Sequence, residues 1–148
     1  MNETEASLLR LVDRFEIEDL PKRYAHGVDG RDWDAVDSCF AADADIHGTT
    51  SQALYPEYIA NLRRSVERYR TTMHFFGNQI TRISDDTGHV TTYGIAVHLG
   101  EGADEFVIGV RYLVDVRRVD GHWKIVRRKV EGIWRRPFTG EVQDLRQP

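Results

Sequence analysis

A carboxylate and an imidazole far apart along the chain, Asp29 and His74, are the groups best suited to acid–base chemistry. Asp29 lies in the run Arg23-Tyr24-Ala25-His26-Gly27-Val28-Asp29-Gly30-Arg31-Asp32-Trp33-Asp34, and His74 in Thr72-Met73-His74-Phe75-Phe76-Gly77-Asn78. The first run reads as a helix end that delivers Asp29 to a turn, the second as a strand that carries His74. A carboxylate accepting one imidazole N–H fixes the tautomer and favours the imidazolium, leaving the other nitrogen to remove a proton near neutral pH. Such a base needs a partner for the negative charge it generates. Tyr24, Tyr93, His98, Tyr112 and Arg111 are the donors available, and that contribution is often larger than the base's own. Strand parity must choose among them, because Tyr112 and Arg111 are neighbours and cannot both face inward.

Strand alternation places Thr72, His74, Phe76 and Asn78 on one face and Met73 and Phe75 on the other. One polar group among apolar neighbours suits a pocket that orients a greasy ligand, with Phe76 as wall and Asn78 at its rim or at a bend. Each residue alone also has a plainer use. Asp29 fits a turn aspartate bonding its own backbone, and His74 a core histidine satisfied by a carbonyl. His26, His47, His89 and His122 lack metal-ligand spacing, and no glycine-rich loop leads from a strand into a helix. No metal, nucleotide or other cofactor is expected. Trp33, Trp123 and Trp134 read as core and interface packing.

The elements that must position the pair follow from periodicity. Leu8, Leu9, Leu11, Val12, Phe15, Ile17, Leu20 and Tyr24 recur at helical spacing, with a kink or split expected at Pro21 and a second helix starting near Asp19 or Leu20. Asp32 is a candidate N-cap for a short helix through Phe40, placing Trp33, Val36 and Phe40 on one face. A brief strand at Ala44–Gly48 and a helix at Tyr55–Arg70, striped by Tyr58, Leu62 and Val66, come next. Strands are expected at Thr72–Ile83, Val90–Leu99, Glu105–Val119 and His122–Trp134, divided by turns at Asp85–Gly88, Gly100–Gly102 and Val119–Gly121. Helices first and a meander of long strands afterwards predict an α+β domain with a curved, mostly antiparallel sheet wrapped around the N-terminal helices.

Composition bounds the remaining possibilities. At 148 residues one core and a single domain, 1–148, are expected. With 41% hydrophobic and 30% charged residues, and apolar runs too short to cross a bilayer, nothing points to a membrane. The net charge of −4 argues against nucleic acid, and the basic run Arg127, Arg128, Lys129, Arg135, Arg136 reads as a solvated sheet face or subunit rim. The acidic start, Met1-Asn2-Glu3-Thr4-Glu5, does not resemble a secretory signal, so a cytoplasmic protein is expected. Cys39, in an apolar helical pattern, is expected to be buried and inert.

The element order and both motifs resemble the SnoaL-like branch of the nuclear transport factor 2-like superfamily, from about Ala6 to Trp134. Val28-Asp29-Gly30-Arg31-Asp32-Trp33-Asp34 and Thr72-Met73-His74-Phe75-Phe76-Gly77 resemble runs of scytalone dehydratase. Gly27-Val28-Asp29 and the spacing of His74 to Asn78 resemble hexachlorocyclohexane dehydrochlorinase, and Tyr24 five residues before Asp29 is similar to bile acid 7α-dehydratase. The resemblance implies a cone-shaped α+β barrel whose mouth holds Asp29 and His74 as a catalytic pair for eliminating water or HCl. His98 stands near a second histidine of scytalone dehydratase. Val28 replaces the tyrosine which that enzyme carries just before its aspartate. The function expected is a cofactor-independent, dehydratase-type lyase acting on a hydrophobic cyclic carbonyl compound. An isomerase or cyclase, or a non-catalytic binding or assembly subunit, is the alternative. A convex face rich in Val, Ile and Trp predicts a homo-oligomer, a trimer or a dimer.

Overall fold

Asn2 starts the first helix. Its side chain accepts from the Glu5 amide while the Glu5 carboxylate accepts from the Asn2 amide, both at 2.9 Å, a reciprocal cap. The computed structural model describes residues 2–100, 105–138 and 143, and α1 runs unbroken from Glu3 to Gly30. The break expected at Pro21 does not occur, and no second helix begins at Asp19 or Leu20. Proline deletes one backbone bond and costs about 3 kcal/mol. Here Pro21 is itself buried, and Ile17, Leu20, Tyr24 and Val28, none more than 4% exposed, pin the turns on both sides of it.

Asp32 caps α2 (Trp33–Ser38) by accepting from the Ala35 amide at 3.0 Å. The helix stops short of Phe40, which instead opens β1 (Phe40–His47). A strand missed by periodicity, β2 (Gln52–Leu54), leads into α3 (Tyr55–Val66), whose buried side carries Tyr58, Ile59 and Val66. The four long strands are β3 (Thr71–Ser84), β4 (Thr87–Leu99), β5 (Phe106–Val119) and β6 (His122–Pro137). Part of the turn expected at Gly100–Gly102 lies outside the described residues. Cys39 is buried as expected.

The strands form one curved, six-stranded sheet ordered β2-β1-β6-β5-β4-β3, antiparallel except where β1 runs parallel to β6. Cross-strand pairing sets the concave face in rungs: Thr72 beside His98 and Phe106, His74 beside Ala96 and Ile108, Phe76 beside Gly94 and Val110. Beyond these rungs lie Thr92 with Tyr112 and Val130, and then Val90 with Val114 and Arg128. α1 lies against β3 and β6, and α3 against β1, so the concave face and the helices share the core. The fold is therefore α+β, with N-terminal helices against the inside of the sheet. Met73 and Phe75, 56% and 70% exposed, lie on the convex side, as alternation requires.

Candidate active site

The end of α1 is held in place by one arginine. Arg31 takes a left-handed conformation, φ 60°, and its guanidinium donates to the Val28 carbonyl at 2.7 Å, Thr72 Oγ1 at 3.0 Å, and the Tyr69 and Val66 carbonyls at 3.0 and 3.3 Å. It thereby ties the last turn of α1 to the end of α3 and the start of β3. Close approach of α2 also needs Gly27, where a Cβ would lie 2.7 Å from Val36 Cγ2.

Within this frame, Asp29 faces the start of β3. Oδ1 accepts from His74 Nδ1 at 2.7 Å and from the Thr72 hydroxyl at 2.9 Å, while Oδ2 accepts from the His74 amide at 2.7 Å. Burial on its own would raise the Asp29 pKa. Its bonds to the His74 ring, the His74 amide and Thr72 outweigh burial and hold it below the usual carboxylate range. An ionised carboxylate can only accept, so Nδ1 of His74 carries the proton and Nε2 is the basic nitrogen. Arg31, Thr72, Asp29 and His74 thus form one hydrogen-bonded chain.

A short His–Asp contact is not special by itself. His89 meets Asp115 at 2.7 Å and also Thr91 at 3.1 Å, and His47 meets Asp45 at 2.9 Å. Burial separates the three. The side chains of His74 and Asp29 are 7% and 21% exposed, those of His89 and Asp115 40% and 46%, and those of His47 and Asp45 25% and 40%. A groove of about 480 Å³ beside His89, Asp115, Arg82 and Arg117, lined also by Ile83, Val116 and Val126, lies at the other end of the sheet from His74.

Around His74 the concave wall is aromatic. The ring of His98 lies 5.8 Å from that of His74, stacks on Phe106 at 4.3 Å, and meets Tyr69 edge-on at 5.0 Å. Burial and then the neighbouring His74 push the His98 pKa down to about 4, so it is neutral at pH 7, and its Nδ1 is buried without a partner. Phe76 bridges the next step, 6.2 Å from His74 and 4.8 Å from Tyr112. Gly94 makes room for it, since a Cβ there would sit 2.6 Å from the Phe76 ring. Tyr24, buried against Phe40, completes the wall, and burial pushes both the Tyr24 and Tyr112 phenols up, so they stay protonated and can donate.

A buried carboxylate–imidazole pair at the edge of an aromatic concave face can remove a proton from a small apolar molecule. The sequence pattern of the SnoaL-like domain family matches residues 9–129. The chain belongs to that family. An uncharacterised Mycobacterium tuberculosis protein is 28% identical over 127 residues, covering 82% of this chain and 86% of that one. Hexachlorocyclohexane dehydrochlorinase LinA type 2 superposes with a TM-score of 0.84 at 24% identity, over 96% of this chain and 99% of that one. LinA type 3 from Novosphingobium barchaimii LL02 gives 0.81 at 25% identity, over 91% and 96%. A scytalone dehydratase-like protein from Novosphingobium aromaticivorans gives 0.79 at 19% identity, over 89% and 91%.

This SnoaL-like domain brings together Asp29, His74, His98, Phe76, Tyr112 and Tyr24, but not every residue expected at the site. Tyr93, 45% exposed, and Arg111, paired with Glu131 at 2.6 Å, share one rung of the convex face. Asn78 is exposed at a bulge, φ 53°, where the register shifts between Gly77 and Ile80 and alternation with His74 is broken. Trp123 donates to Asp13 at 3.0 Å near the β5–β6 turn, away from the site. Arg128 was expected on a solvated face and is instead buried inside. A second bulge opposite Asp115 and Val116 makes Val126 the extra residue and turns Arg128 inward. Arg31 and Thr72, which position Asp29, carried no signal of that role in the sequence beyond their membership of the two motifs.

Proposed function

We propose that this protein is a cofactor-independent lyase of dehydratase type, acting on a hydrophobic cyclic compound with an acidic C–H beside a carbonyl. The observation that carries the reading is the 2.7 Å bond between His74 Nδ1 and an Asp29 carboxylate held by further donors in a largely buried setting. His74 Nε2 takes the proton, Asp29 stabilises the imidazolium, and Tyr24, Tyr112 or neutral His98 donates to the enolising or departing oxygen. Fold likeness to LinA and to a scytalone dehydratase-like protein supports elimination over other chemistries. Self-association through the convex face, and a cytoplasmic setting, belong to the same proposal.

A binding role without turnover is the competing reading, favoured by the ring of Phe76 packed 4.8 Å from Tyr112 inside the cone. A panel of β-hydroxy cyclic ketones, followed by the ultraviolet absorbance of the conjugated enone, separates the two. The lyase reading expects turnover that falls by at least about a hundredfold in His74→Ala. Full activity in that variant refutes the mechanism, and binding of the panel without turnover favours the competing role.

A further inference from the structure

The apolar residues of α1 do not share one face. At about 100° per residue, Ile17, Tyr24 and Val28 turn to the core on the same side as Asp13, which accepts from Arg118 at 2.7 Å and from Trp123 at 3.0 Å. Leu8, Leu11, Val12 and Phe15, at i, i+3, i+4 and i+7, form a stripe on the opposite side, with Leu9 at its edge. All five are between 51% and 67% exposed. From Asn2 to Val12 only Ala6 is half-buried, and the rest of this arm is exposed. The arm is nonetheless formed helix, capped by Asn2 and Glu5 and continuous with the buried half of α1.

A second uncovered apolar face lies on the convex side of the sheet. Strand pairing sets Phe75, Ile95 and Trp134 on one rung, across Gly109, and Met73 on the next. These four are 44% to 70% exposed. Gly109 lets the Trp134 indole lie against the sheet, since a Cβ there would be 2.4 Å from it. Aromatic side chains carry roughly 150–250 Å² each, so arm and stripe each leave about 500 Å² uncovered, and a monomer's largest patch is usually about 300–600 Å². Two such patches are an excess for one small chain.

Neither face suits its own counterpart. Two arms packed antiparallel about Leu11 and Val12 set Glu5 of one against Glu16 and Glu18 of the other, and parallel packing sets Glu3 and Glu5 on themselves. Either self-pairing covers one face only, short of the roughly 800 Å² per partner of a standard interface. Arm on stripe differs on both counts. From Glu3 to Glu16 the arm carries Glu3, Glu5, Asp13 and Glu16 against Arg10 and Arg14. The stripe is flanked by exposed Arg136, on the rung of Met73, and by Arg111 and Lys129, which share the one carboxylate of Glu131. A chain that gives its arm and receives another covers about 1,000 Å², enough for a stable interface.

We propose that the α1 arm of one copy packs on the convex stripe of a second copy, Leu8, Leu11, Val12 and Phe15 against Met73, Phe75, Ile95 and Trp134. The contact rests on the reading of the convex face as the self-association surface, and it names what covers that face. Given and received once per chain, it closes as a two-fold dimer or as a ring.

The test measures mass by light scattering for wild type, Leu11→Glu/Phe15→Glu and Phe75→Lys. It also traps the contact by mixing a Phe15→Cys chain with a Phe75→Cys chain under mild oxidation and weighing the products by mass spectrometry; Cys39 is buried and takes no part. Wild type is expected to be an oligomer. The arm variant should dissociate at least about tenfold more readily and keep its helical circular dichroism, because both side chains are exposed in the single copy. Disulfides between the two different chains should exceed those linking either chain to its like, and this result is read alone if the arm variant does not fold. A monomeric wild type, an arm variant as tightly assembled as wild type, or trapping dominated by like chains overturns the proposal. Dispersal by Phe75→Lys with the arm variant still assembled removes the arm and leaves the convex face as the interface, whereas dispersal by neither removes both.

Discussion

Replacing Asp29 by asparagine is the sharpest test of the site's wiring, because asparagine keeps the shape and removes half of the acceptors. Oδ1 now accepts two bonds and Oδ2 one, at 2.7 to 2.9 Å. If the amide oxygen at position 29 takes the Oδ1 place, the NH₂ meets the His74 amide, donor against donor. If it is turned over, the NH₂ meets Nδ1 and forces the ring into the tautomer whose proton sits on Nε2, which disarms the base. Either way at least one charge-assisted bond is lost, about 1.5–3 kcal/mol. For a chain of this size that lowers Tm by roughly 4–10 °C. Turnover should fall by about 10² to 10⁴ through loss of the oriented, charge-supported base. Differential scanning calorimetry and kcat/KM on whichever panel compound is turned over provide the two readings. The exposed pair offers a control: Asp115→Asn should shift Tm by no more than about 2 °C and leave turnover unchanged. An Asp29→Asn protein that melts and turns over like wild type refutes the reasoning.

Three further outcomes follow from other parts of the structure. His98 has a folded pKa of about 4, below its ordinary value near 6.5, so between these pH values the unfolded chain binds more protons and stability falls as pH falls. Urea melts from pH 7 to pH 4 should show this loss, at most about 3 kcal/mol, and His98→Phe should flatten it; an unchanged slope in the variant contradicts the assignment. Arg31→Gly relieves the φ of 60° yet deletes four bonds, and a net loss of about 2–4 kcal/mol in denaturant midpoints is expected, whereas a gain would show that strain dominates. Phe75→Lys places a charge on the convex face beside Met73 and Ile95, and light scattering should report a smaller assembly than wild type; an identical mass removes that face from the interface.

The fold was legible where burial imposes a period. Alternating β-branched and aromatic residues from Thr72 to Trp134 locate all four long strands, and the Asp32 cap locates α2. Pro21 misleads because its local penalty is set against the burial of Ile17, Leu20, Tyr24 and Val28, a tertiary quantity. β2, Gln52–Leu54, is too short to show a period, and its pairing to β1 is long-range information. At the site, Asp29 and His74 were readable from residue type and local motif. Their neighbours depended on parity, and parity has a phase that only pairing sets. Tyr112 and Arg111 exclude one another on any reading, but the pairing of Tyr112 with Thr92 and of Arg111 with Tyr93 decides which is inside. Bulges then reset the phase within a strand, which is how Asn78 leaves the site and Arg128 enters it.

A crystal structure with a turned-over or slowly reacting panel compound bound measures the central claim most directly. The account predicts the carbon bearing the acidic hydrogen about 3–3.5 Å from His74 Nε2, with Nδ1 still bonded to Asp29. A ligand seated outside the concave face, or one inside it whose acidic carbon faces away from the His74 ring, contradicts it.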